Sequence, residues 1–266
     1  MTQQPIRFTD GKAYERGMGP WSQLVGEVFL NWLAPQSGLR WIDIGCGNGA
    51  FTELLVQQCA PAETQGIDPS EAQIAFARTR TGASDATFLL GDAMALPFEA
   101  GRFDAAVMAL VLFFVPEPAK GVAEMTRVVA PGGTVAAYVW DIFGGGSPTS
   151  PIQAELLDLG VQPTLPPRAD ASRMEVLRAL WTNAGLEAVE TREITVRRTF
   201  SGFEDFWQSA TAHPSVGPAI AAMAAGDIEK LKARLRERLP ADASGRVLYP
   251  ARANAIKGSV PAAPRR

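Results

Sequence analysis

The chain has 266 residues, of which 47% are hydrophobic and 20% are charged, and its net charge at pH 7 is −3. A chain of this length and composition buries a sizeable core, which excludes a disordered or fibrous protein. The acidic balance also argues against a nucleic-acid surface as the main partner, because neutralising phosphates requires concentrated lysine and arginine.

Cysteine content and hydropathy predict the compartment. The chain has two cysteines, Cys46 and Cys59, which do not form the pattern of a disulfide framework. No apolar run approaches the roughly 20 residues of a membrane-spanning helix, and the polar N-terminus lacks the apolar segment of a secretory signal. We therefore expect a reducing compartment, the cytoplasm, and no membrane span.

The chain opens with a polar arm and a helix. Apolar residues from Trp21 to Trp32 recur at helical spacing until Pro35 and Gly38 end the pattern. The arm around Tyr14 is rich in aromatic and cationic groups. Two interpretations stay open: a segment that folds over a ligand, or an irregular arm without such a role.

An apolar strand, a glycine cluster and an amphipathic helix follow one another over residues 41–56. Gly45, Gly47 and Gly49 permit positive φ angles and, having no Cβ, let backbone N–H groups at a helix start approach a ligand. Asp43 ends the buried strand, where a carboxylate is costly unless it is paired. We expect a ligand site at this turn, with Asp43 bonded to loop N–H groups or to a ligand ammonium.

Two further strands end at acidic residues. Asp68 closes the second strand about 20 residues after the glycines, where a carboxylate can accept both hydroxyls of an adenosine ribose. Its alternative role is to cap the helix that begins at Ser70. Asp92 stands in the same position after the third strand, residues 86–90. Ligands of parallel sheets bind beyond the strand ends, so these acids point to one site.

Two more strands complete a repeating pattern. Residues 103–110 are almost uninterruptedly apolar, as in a strand buried on both faces, a helix follows over 119–129, and residues 134–140 form the fifth strand. Five successive strand-then-helix units predict an α/β fold with a doubly wound parallel sheet. Beyond a glycine-rich joint at 144–146, which we expect to be flexible, the pattern is less regular.

The C-terminal third contains predicted helices and two more strands, the first of which covers residues 187–200. Residues 203–210 and 219–239 have helical periodicity, and residues 246–257 alternate as a strand does. Residues 261–266 are expected to form a disordered tail.

Several segments in register carry a family resemblance. They are Ile42 to Gly49, Asp68, Gly91-Asp92-Ala93, Leu96-Pro97-Phe98, Phe103-Asp104 and Glu124 to Gly133. Together they resemble the class I S-adenosylmethionine-dependent methyltransferases, and within them the small-molecule group (methyltransferase type 11) that includes ubiquinone and menaquinone methyltransferases. The resemblance spans residues 14–200, and the last predicted strand completes it.

The resemblance implies a fold and a domain organisation. It implies a Rossmann-like, mostly parallel sheet of seven strands whose last strand is antiparallel. The chain would then divide into an N-terminal arm and helix (1–38), a methyltransferase core (39–200), a helical cap on the acceptor side (201–240), the final core strand (241–260) and the tail (261–266).

The resemblance also implies the cofactor, S-adenosyl-L-methionine, and the residues that hold it. The glycine turn would lie against the methionine part, Asp68 would hold the ribose, Asp92 and Ala93 would meet the adenine, and Ala109 and the Tyr14 arm would meet the methionine. The full predicted set is Tyr14, Asp43, Gly45, Cys46, Gly47, Asp68, Pro69, Asp92, Ala93 and Ala109. Carboxylates suit a sulfonium and an ammonium better than a pyrophosphate.

The predicted reaction is in-line methyl transfer, for which a base is needed only if the acceptor must lose a proton. Asp141 ends the fifth strand, and His213 is the only histidine. Helix capping is the alternative for Asp141 and a surface loop position for His213. The apolar run 110–114 indicates a small apolar or aromatic acceptor, with Trp140, Phe143, Phe206 and Trp207 as walls or as core.

Other functional classes fit parts of the same sequence pattern. Gly45, Gly47 and Ala50 also fit the G-x-G-x-x-A turn of an NAD(P)-dependent oxidoreductase. However, Tyr138 has no lysine four residues later to form a Tyr-x-x-x-Lys pair. A methyltransferase-like domain that binds cofactor without catalysis is the second alternative. A nucleic-acid acceptor is disfavoured, and no metal site is predicted; oligomeric state and acceptor atom are left open.

Overall fold

The computed structural model describes residues 17–262. Its centre is one seven-stranded sheet with the order β3-β2-β1-β4-β5-β7-β6. The strands are β1 (Arg40–Ile44), β2 (Glu63–Asp68), β3 (Ala86–Leu90), β4 (Phe103–Ala109), β5 (Val129–Trp140), β6 (Glu187–Phe200) and β7 (Val247–Ser259). β1 to β5 pair in parallel, while β7 runs antiparallel to both β5 and β6. The predicted fold class, with its antiparallel last strand, is confirmed.

Helices flank this sheet and follow the strands in the chain. They are α1 (Gly19–Leu33), α2 (Ala50–Cys59), α3 (Glu71–Ala77), α4 (Pro118–Val128), α5 (Ser150–Asp158), α6 (Met174–Asn183), α7 (Phe203–Thr211), α8 (Gly217–Ala221) and α9 (Ala225–Arg238). The segment predicted to be a cap therefore contains α7 to α9, which lie between β6 and β7.

One strand departs from the expected strand-then-helix repeat. Between β3 and β4 the chain forms a loop, residues 91–102, and no α-helix. Arg127 of α4 fills part of this space, because its guanidinium donates to the carbonyl oxygens of Leu96 and Phe98 at 3.0 and 2.7 Å. Glu124 accepts from the Leu96 N–H at 2.8 Å. The loop is thus held by helix α4, and the prediction of five complete strand–helix units was wrong at this point.

The glycine-rich joint is ordered by hydrogen bonds, contrary to the flexible joint expected from its composition. The Gly146 N–H donates to the Asp141 carbonyl at 2.7 Å, and the Arg252 N–H donates to the Gly146 carbonyl at 2.8 Å. The Asp141 carboxylate also accepts from the Gly144 N–H at 2.9 Å. This turn is followed directly by α5, so it also fixes the position of residues 147–149, which connect the two.

The core lies on both faces of the sheet. Trp41 of β1 and Trp181 of α6 are fully buried, and the Trp181 indole N–H donates to the Val135 carbonyl at 3.0 Å. Phe29 of α1 packs on Tyr138 of β5 with ring centroids 4.7 Å apart. The helix predicted ahead of the sheet therefore covers the centre of it.

Some sequence-based expectations fall outside the described residues. Tyr14 and the arm around it precede residue 17, and most of the tail 261–266 follows residue 262. Within the part of the chain that the structure describes, no helix is both long and apolar enough to cross a bilayer.

Candidate active site

A cavity of about 740 Å³ opens at the carboxyl ends of the parallel strands. Its volume falls in the roughly 300–1,000 Å³ range of small-molecule sites. Along the sheet it has two halves. One half is built at the ends of β1, β2 and β3, and the other at the ends of β4 and β5 with the loops that follow them.

The glycine turn after β1 forms the floor of the first half. The N–H groups of Gly45 and Cys46 both donate to the Ile67 carbonyl of β2, at 2.7 and 3.0 Å. Gly47 has a φ of +53°, and no atom of the described residues lies within 4 Å of the position that a Cβ would occupy there. Gly49 begins α2 in the left-handed conformation. The turn therefore exposes backbone to the cavity at Gly47, as its composition predicted.

Asp43 lies beneath this turn and is fully buried. The Thr52 hydroxyl of α2 donates to its Oδ2 at 2.6 Å, whereas Oδ1 has no hydrogen-bond partner among the described residues. Burial raises the pKa of Asp43 from 3.8 to about 7, although the Thr52 hydrogen bond opposes the rise. The expected loop N–H partner is replaced by a side-chain hydroxyl.

Asp68 connects the ends of β1 and β2 by hydrogen bonds. Its Oδ2 accepts from the Gly47 N–H and its Oδ1 from the Ser70 N–H, each at 2.9 Å. Burial raises the pKa of Asp68, and the two backbone N–H donors partly offset the rise. The cap of α3 is Ser70, whose Oγ accepts from the Gln73 N–H, so the capping role considered for Asp68 belongs to its neighbour.

The remaining predicted cofactor residues complete this half of the cavity. Pro69, Asp92, Ala93 and Cys46 line it, and Ala109 lies where it meets the second half. The exposed Asp92 carboxylate accepts from the Met94 N–H at 2.8 Å, which sets the turn after β3. Burial raises the pKa of the Cys46 thiol well above its usual value, so this thiol is neutral.

The second half of the cavity is walled mainly by apolar side chains. It is lined by Leu110, Val111, Phe113, Phe114, Val115, Pro116, Tyr138, Trp140, Ile142, Leu165, Pro166 and Pro167. Of the four aromatic walls considered from sequence, Trp140 lines the cavity. Phe143 is 47% exposed and lies under the Arg173 guanidinium, while Phe206 and Trp207 belong to the core.

A group of hydroxyls and one imidazole interrupts this apolar wall. We call Ser147, Thr149, His213 and Ser215 the hydroxyl cluster. The Ser215 Oγ lies 2.6 Å from the His213 Nδ1 and 3.5 Å from the Thr149 Oγ1, which lies 3.1 Å from the Ser147 Oγ. Ser147, His213 and Ser215 line the cavity, so His213 reaches the site from the loop after α7.

Asp141, the other base candidate, is held away from the cavity. Its Oδ2 accepts two hydrogen bonds from the Arg252 guanidinium, at 2.6 and 2.9 Å, and the residue is not part of the cavity lining. The carboxylate also orders the glycine turn described above. The structure thus gives Asp141 a structural partner on β7.

Sequence reasoning missed several residues of this site. Thr52, Ser147, Thr149 and Ser215 carry no motif, and each acquires its role through a contact that folding creates. Thr52 had one available signal, because it lies on the helix after the glycine turn and close to Asp43 in the chain. Thr149 and Ser215 of the hydroxyl cluster are 66 residues apart in the chain, and no local sequence pattern predicts such a contact.

The sheet order, the antiparallel last strand and the glycine turn at β1 together define the Rossmann-like methyltransferase fold. Within this fold, residues 42–137 match the protein family described as methyltransferase domain. The match covers the glycine turn, the strand-end acids and the first five strands from Ile42 of β1 to Ala137 of β5. The sequence-based resemblance to S-adenosylmethionine-dependent methyltransferases is confirmed.

A curated protein with a similar sequence is also named as a methyltransferase. Demethylmenaquinone methyltransferase of Staphylococcus aureus is 36% identical over 102 residues, which cover 38% of this chain and 42% of that protein. The chain thus matches less than half the length of this curated relative.

Solved structures match the fold over most of the chain. A SAM-dependent methyltransferase from Thermotoga maritima has a TM-score of 0.54 at 19% identity, covering 94% of this chain and 93% of that one. Haemonchus contortus phosphoethanolamine N-methyltransferase 2, in complex with S-adenosyl-L-methionine, has a TM-score of 0.57 at 18% identity, covering 94% and 56%. At these identities the likeness concerns the fold.

The residues of the first half fit the predicted cofactor. The buried Asp43 Oδ1, with no partner among the described residues, suits an ammonium group, because a buried carboxylate oxygen is costly when left unpaired. The open space at Gly47 would be filled by any other side chain. Three carboxylates along one half of the cavity favour a cationic ligand over a pyrophosphate.

Proposed function

We propose that this chain is an S-adenosyl-L-methionine-dependent methyltransferase that transfers a methyl group to a small apolar or aromatic acceptor by in-line displacement. The observation that carries the proposal is the convergence of Asp43, Asp68 and Asp92 on one cavity, inside a segment that matches a methyltransferase domain. The two halves of that cavity provide adjacent places for cofactor and acceptor.

In this proposal the first half of the cavity holds the cofactor. Asp43 meets the ammonium group, Asp68 accepts from the ribose hydroxyls, and Asp92 with the Ala93 backbone meets the adenine. Asp68 already accepts one N–H at each oxygen, and a carboxylate oxygen has a second lone pair for a ribose hydroxyl. The glycine turn and Pro69 shape the walls, and Ala109 faces the second half.

Positioning is the main contribution of the protein to catalysis. S-adenosyl-L-methionine supplies a methyl group that is already activated by its sulfonium. The rigid strand ends hold the two reactants in line, an effect that corresponds to as much as ~7–11 kcal/mol for well-oriented reactions. The apolar wall around Phe113 and Phe114 excludes water from the reacting atoms.

A proton acceptor is available if the acceptor atom must lose a proton. His213 lines the cavity, and burial lowers its pKa from 6.5 to about 4. The imidazole is therefore neutral at pH 7, and its Nδ1 lies 2.6 Å from the Ser215 Oγ, so a proton of the acceptor would reach it through the Ser215 hydroxyl. We assign this role to His213 in preference to Asp141, which is engaged by Arg252.

A cofactor-binding protein without catalysis is the second candidate, because the apolar loop after β4 offers no base. Turnover separates the two. The full chain is incubated with S-adenosyl-L-methionine and a panel of small phenols, amines and thiols, and S-adenosylhomocysteine is quantified by mass spectrometry. Formation that depends on an acceptor supports the enzyme. Binding of the cofactor by calorimetry, with no product from any acceptor, supports the alternative.

The proposed compartment remains the cytoplasm. Cys46 and Cys59 are both free and buried, as in proteins that fold under reducing conditions.

A further inference from the structure

The hydroxyl cluster has a defined hydrogen-bond direction. The Ser215 backbone N–H donates to the His213 Nδ1 at 3.1 Å, so this nitrogen carries no proton and acts as an acceptor. The Ser215 Oγ, 2.6 Å from the same nitrogen, must then donate its hydrogen to it. The Ser215 Oγ is left with lone pairs only, and it presents an acceptor to its surroundings.

The hydrogen-bond direction continues along the cluster to Ser147. The Thr149 backbone N–H donates to the Ser147 Oγ at 3.4 Å, and the Thr149 hydroxyl lies 3.1 Å from that oxygen. If the Thr149 hydroxyl hydrogen points to Ser215, the Ser147 hydroxyl donates to Thr149 in turn. Ser147 and Ser215 both line the cavity, where they offer oxygens that accept a hydrogen bond.

The cluster is rigid as well as directional. Ser215 and Thr149 are almost fully buried, and the Ser215 carbonyl accepts from the Thr164 N–H at 3.1 Å. Ser147 follows the turn that the Asp141–Arg252 ion pair fixes. A bound group that donates to this cluster would therefore be held in one place relative to the cofactor half.

Charge is distributed unevenly along the cavity. Among the described residues that line it, the carboxylates Asp43, Asp68 and Asp92 all belong to the first half, and none of the lining residues is lysine, arginine or glutamate. The described residues of the second half thus offer no counterion for either a phosphate or carboxylate group or an ammonium group of a ligand. Burying an unpaired charge there would be costly.

From this arrangement we propose that the acceptor is an uncharged molecule with an apolar body and one hydroxyl or N–H group, which donates a hydrogen bond to the Ser215–Ser147 oxygens. The apolar body packs against the wall formed by Phe113, Phe114 and Trp140. This inference rests on the proposed methyltransferase function, since it concerns the acceptor half of the same site. Ser215 and Ser147 are positioning and specificity residues.

The test uses three probes that share a butylphenyl body and differ in the para substituent: 4-butylphenol, 4-butylbenzoate and butylbenzene. Binding of each to the full chain is measured by calorimetry at pH 7.5 with saturating S-adenosylhomocysteine. We expect the phenol to bind at least tenfold more tightly than the benzoate, because only the benzoate brings an unpaired charge. In Ser215→Ala we expect the phenol to lose roughly 3- to 10-fold in affinity, the effect of one lost hydrogen bond, while butylbenzene is unchanged.

Ser172→Ala is the matched control, because Ser172 is a fully buried serine outside the cavity lining whose Oγ has no partner among the described residues. It should bind all three probes as the wild type does. Equal binding of phenol and benzoate, unchanged phenol binding in Ser215→Ala, or no phenol binding at all would overturn the inference. A separate titration of the full chain with S-adenosylhomocysteine keeps the two proposals apart, since failure of this ligand to bind would refute the proposed function instead.

Discussion

The Thr52 hydroxyl donates a 2.6 Å hydrogen bond to Asp43 at a place where both side chains are fully buried. This contact joins the end of β1 to α2 across the glycine turn. It is the one hydrogen bond that the described residues give to the Asp43 carboxylate. Asp43, beneath the turn that we propose to hold the cofactor, is therefore held by a single donor among the described residues.

Replacing Thr52 with valine should destabilise the protein by about 1–3 kcal/mol, because it leaves a buried carboxylate without its donor. The measurement is the free energy of unfolding in urea at pH 8, where Asp43 is mostly ionised. Thr52→Ser keeps the hydroxyl and should stay within about 1 kcal/mol of the wild type. Equal losses in both variants would show that packing of the threonine methyl group, and not the hydrogen bond, supports the turn.

Asp43 and His213 should make opposite contributions to stability between pH 4 and pH 7. The folded-state pKa of Asp43 is raised from 3.8 to about 7, so the folded protein binds more protons there and its contribution falls as pH rises. The folded-state pKa of His213 is lowered from 6.5 to about 4, so its contribution falls as pH drops below 6.5. In the wild type the two effects largely cancel.

Single substitutions should expose each effect. Relative to the wild type, Asp43→Asn should gain stability as pH rises from 4.5 to 7, and His213→Gln should lose stability over the same range. Urea midpoints are measured at four pH values for the wild type and both variants. Subtracting the wild-type midpoint from that of each variant removes the contributions of surface ion pairs, which all three proteins share. Parallel pH profiles for wild type and both variants would contradict the burial of these two groups.

Asp68→Ala should weaken binding of S-adenosyl-L-methionine by about 1–3 kcal/mol, the cost of leaving polar partners unpaired in the site. Calorimetry at constant pH measures the change. Asp104→Ala is the control, because it removes the same charge at the opposite end of the sheet, where Asp104 pairs with Arg40 at 2.7 Å. If both variants bind alike, the effect is one of net charge or general stability, and Asp68 does not belong to the site.

Asp141→Asn should leave methyl transfer nearly intact, within a few-fold of the wild-type kcat, while it lowers the thermal midpoint. The structure engages this carboxylate with Arg252 at 2.6 Å, and loss of a true general base typically costs 10²- to 10⁴-fold in rate. The rate is measured with the best acceptor from the panel. A drop of a hundredfold or more without a change in acceptor KM would restore Asp141 as the base.

Much of the cofactor half could be predicted because it depends on local patterns. The glycine turn, Asp43, Asp68 and Asp92 each stand at the end of a short apolar strand, and parallel strands bring their carboxyl ends to one edge. The seven-stranded sheet and its antiparallel last strand followed from the resemblance. These features need no knowledge of long-range side-chain contacts.

The acceptor half could not be predicted for a physical reason. His213 meets Ser215 within its own loop, but Ser215 meets Thr149 across 66 residues of chain, and no periodicity encodes that contact. The composition of residues 144–146 predicted a flexible joint. Instead, Arg252, 111 residues after Asp141, orders these glycines by hydrogen bonds. The loop in place of a helix after β3 likewise depends on Arg127 from a later helix.

The most direct test of the account is calorimetric titration of the full chain with S-adenosyl-L-methionine, followed by titration with NAD. We expect saturable binding of one S-adenosyl-L-methionine per chain, weakened in Asp68→Ala and retained in Asp104→Ala, and no binding of NAD at the same concentrations. Binding of NAD that displaces S-adenosyl-L-methionine, or no binding of S-adenosyl-L-methionine at all, would contradict it.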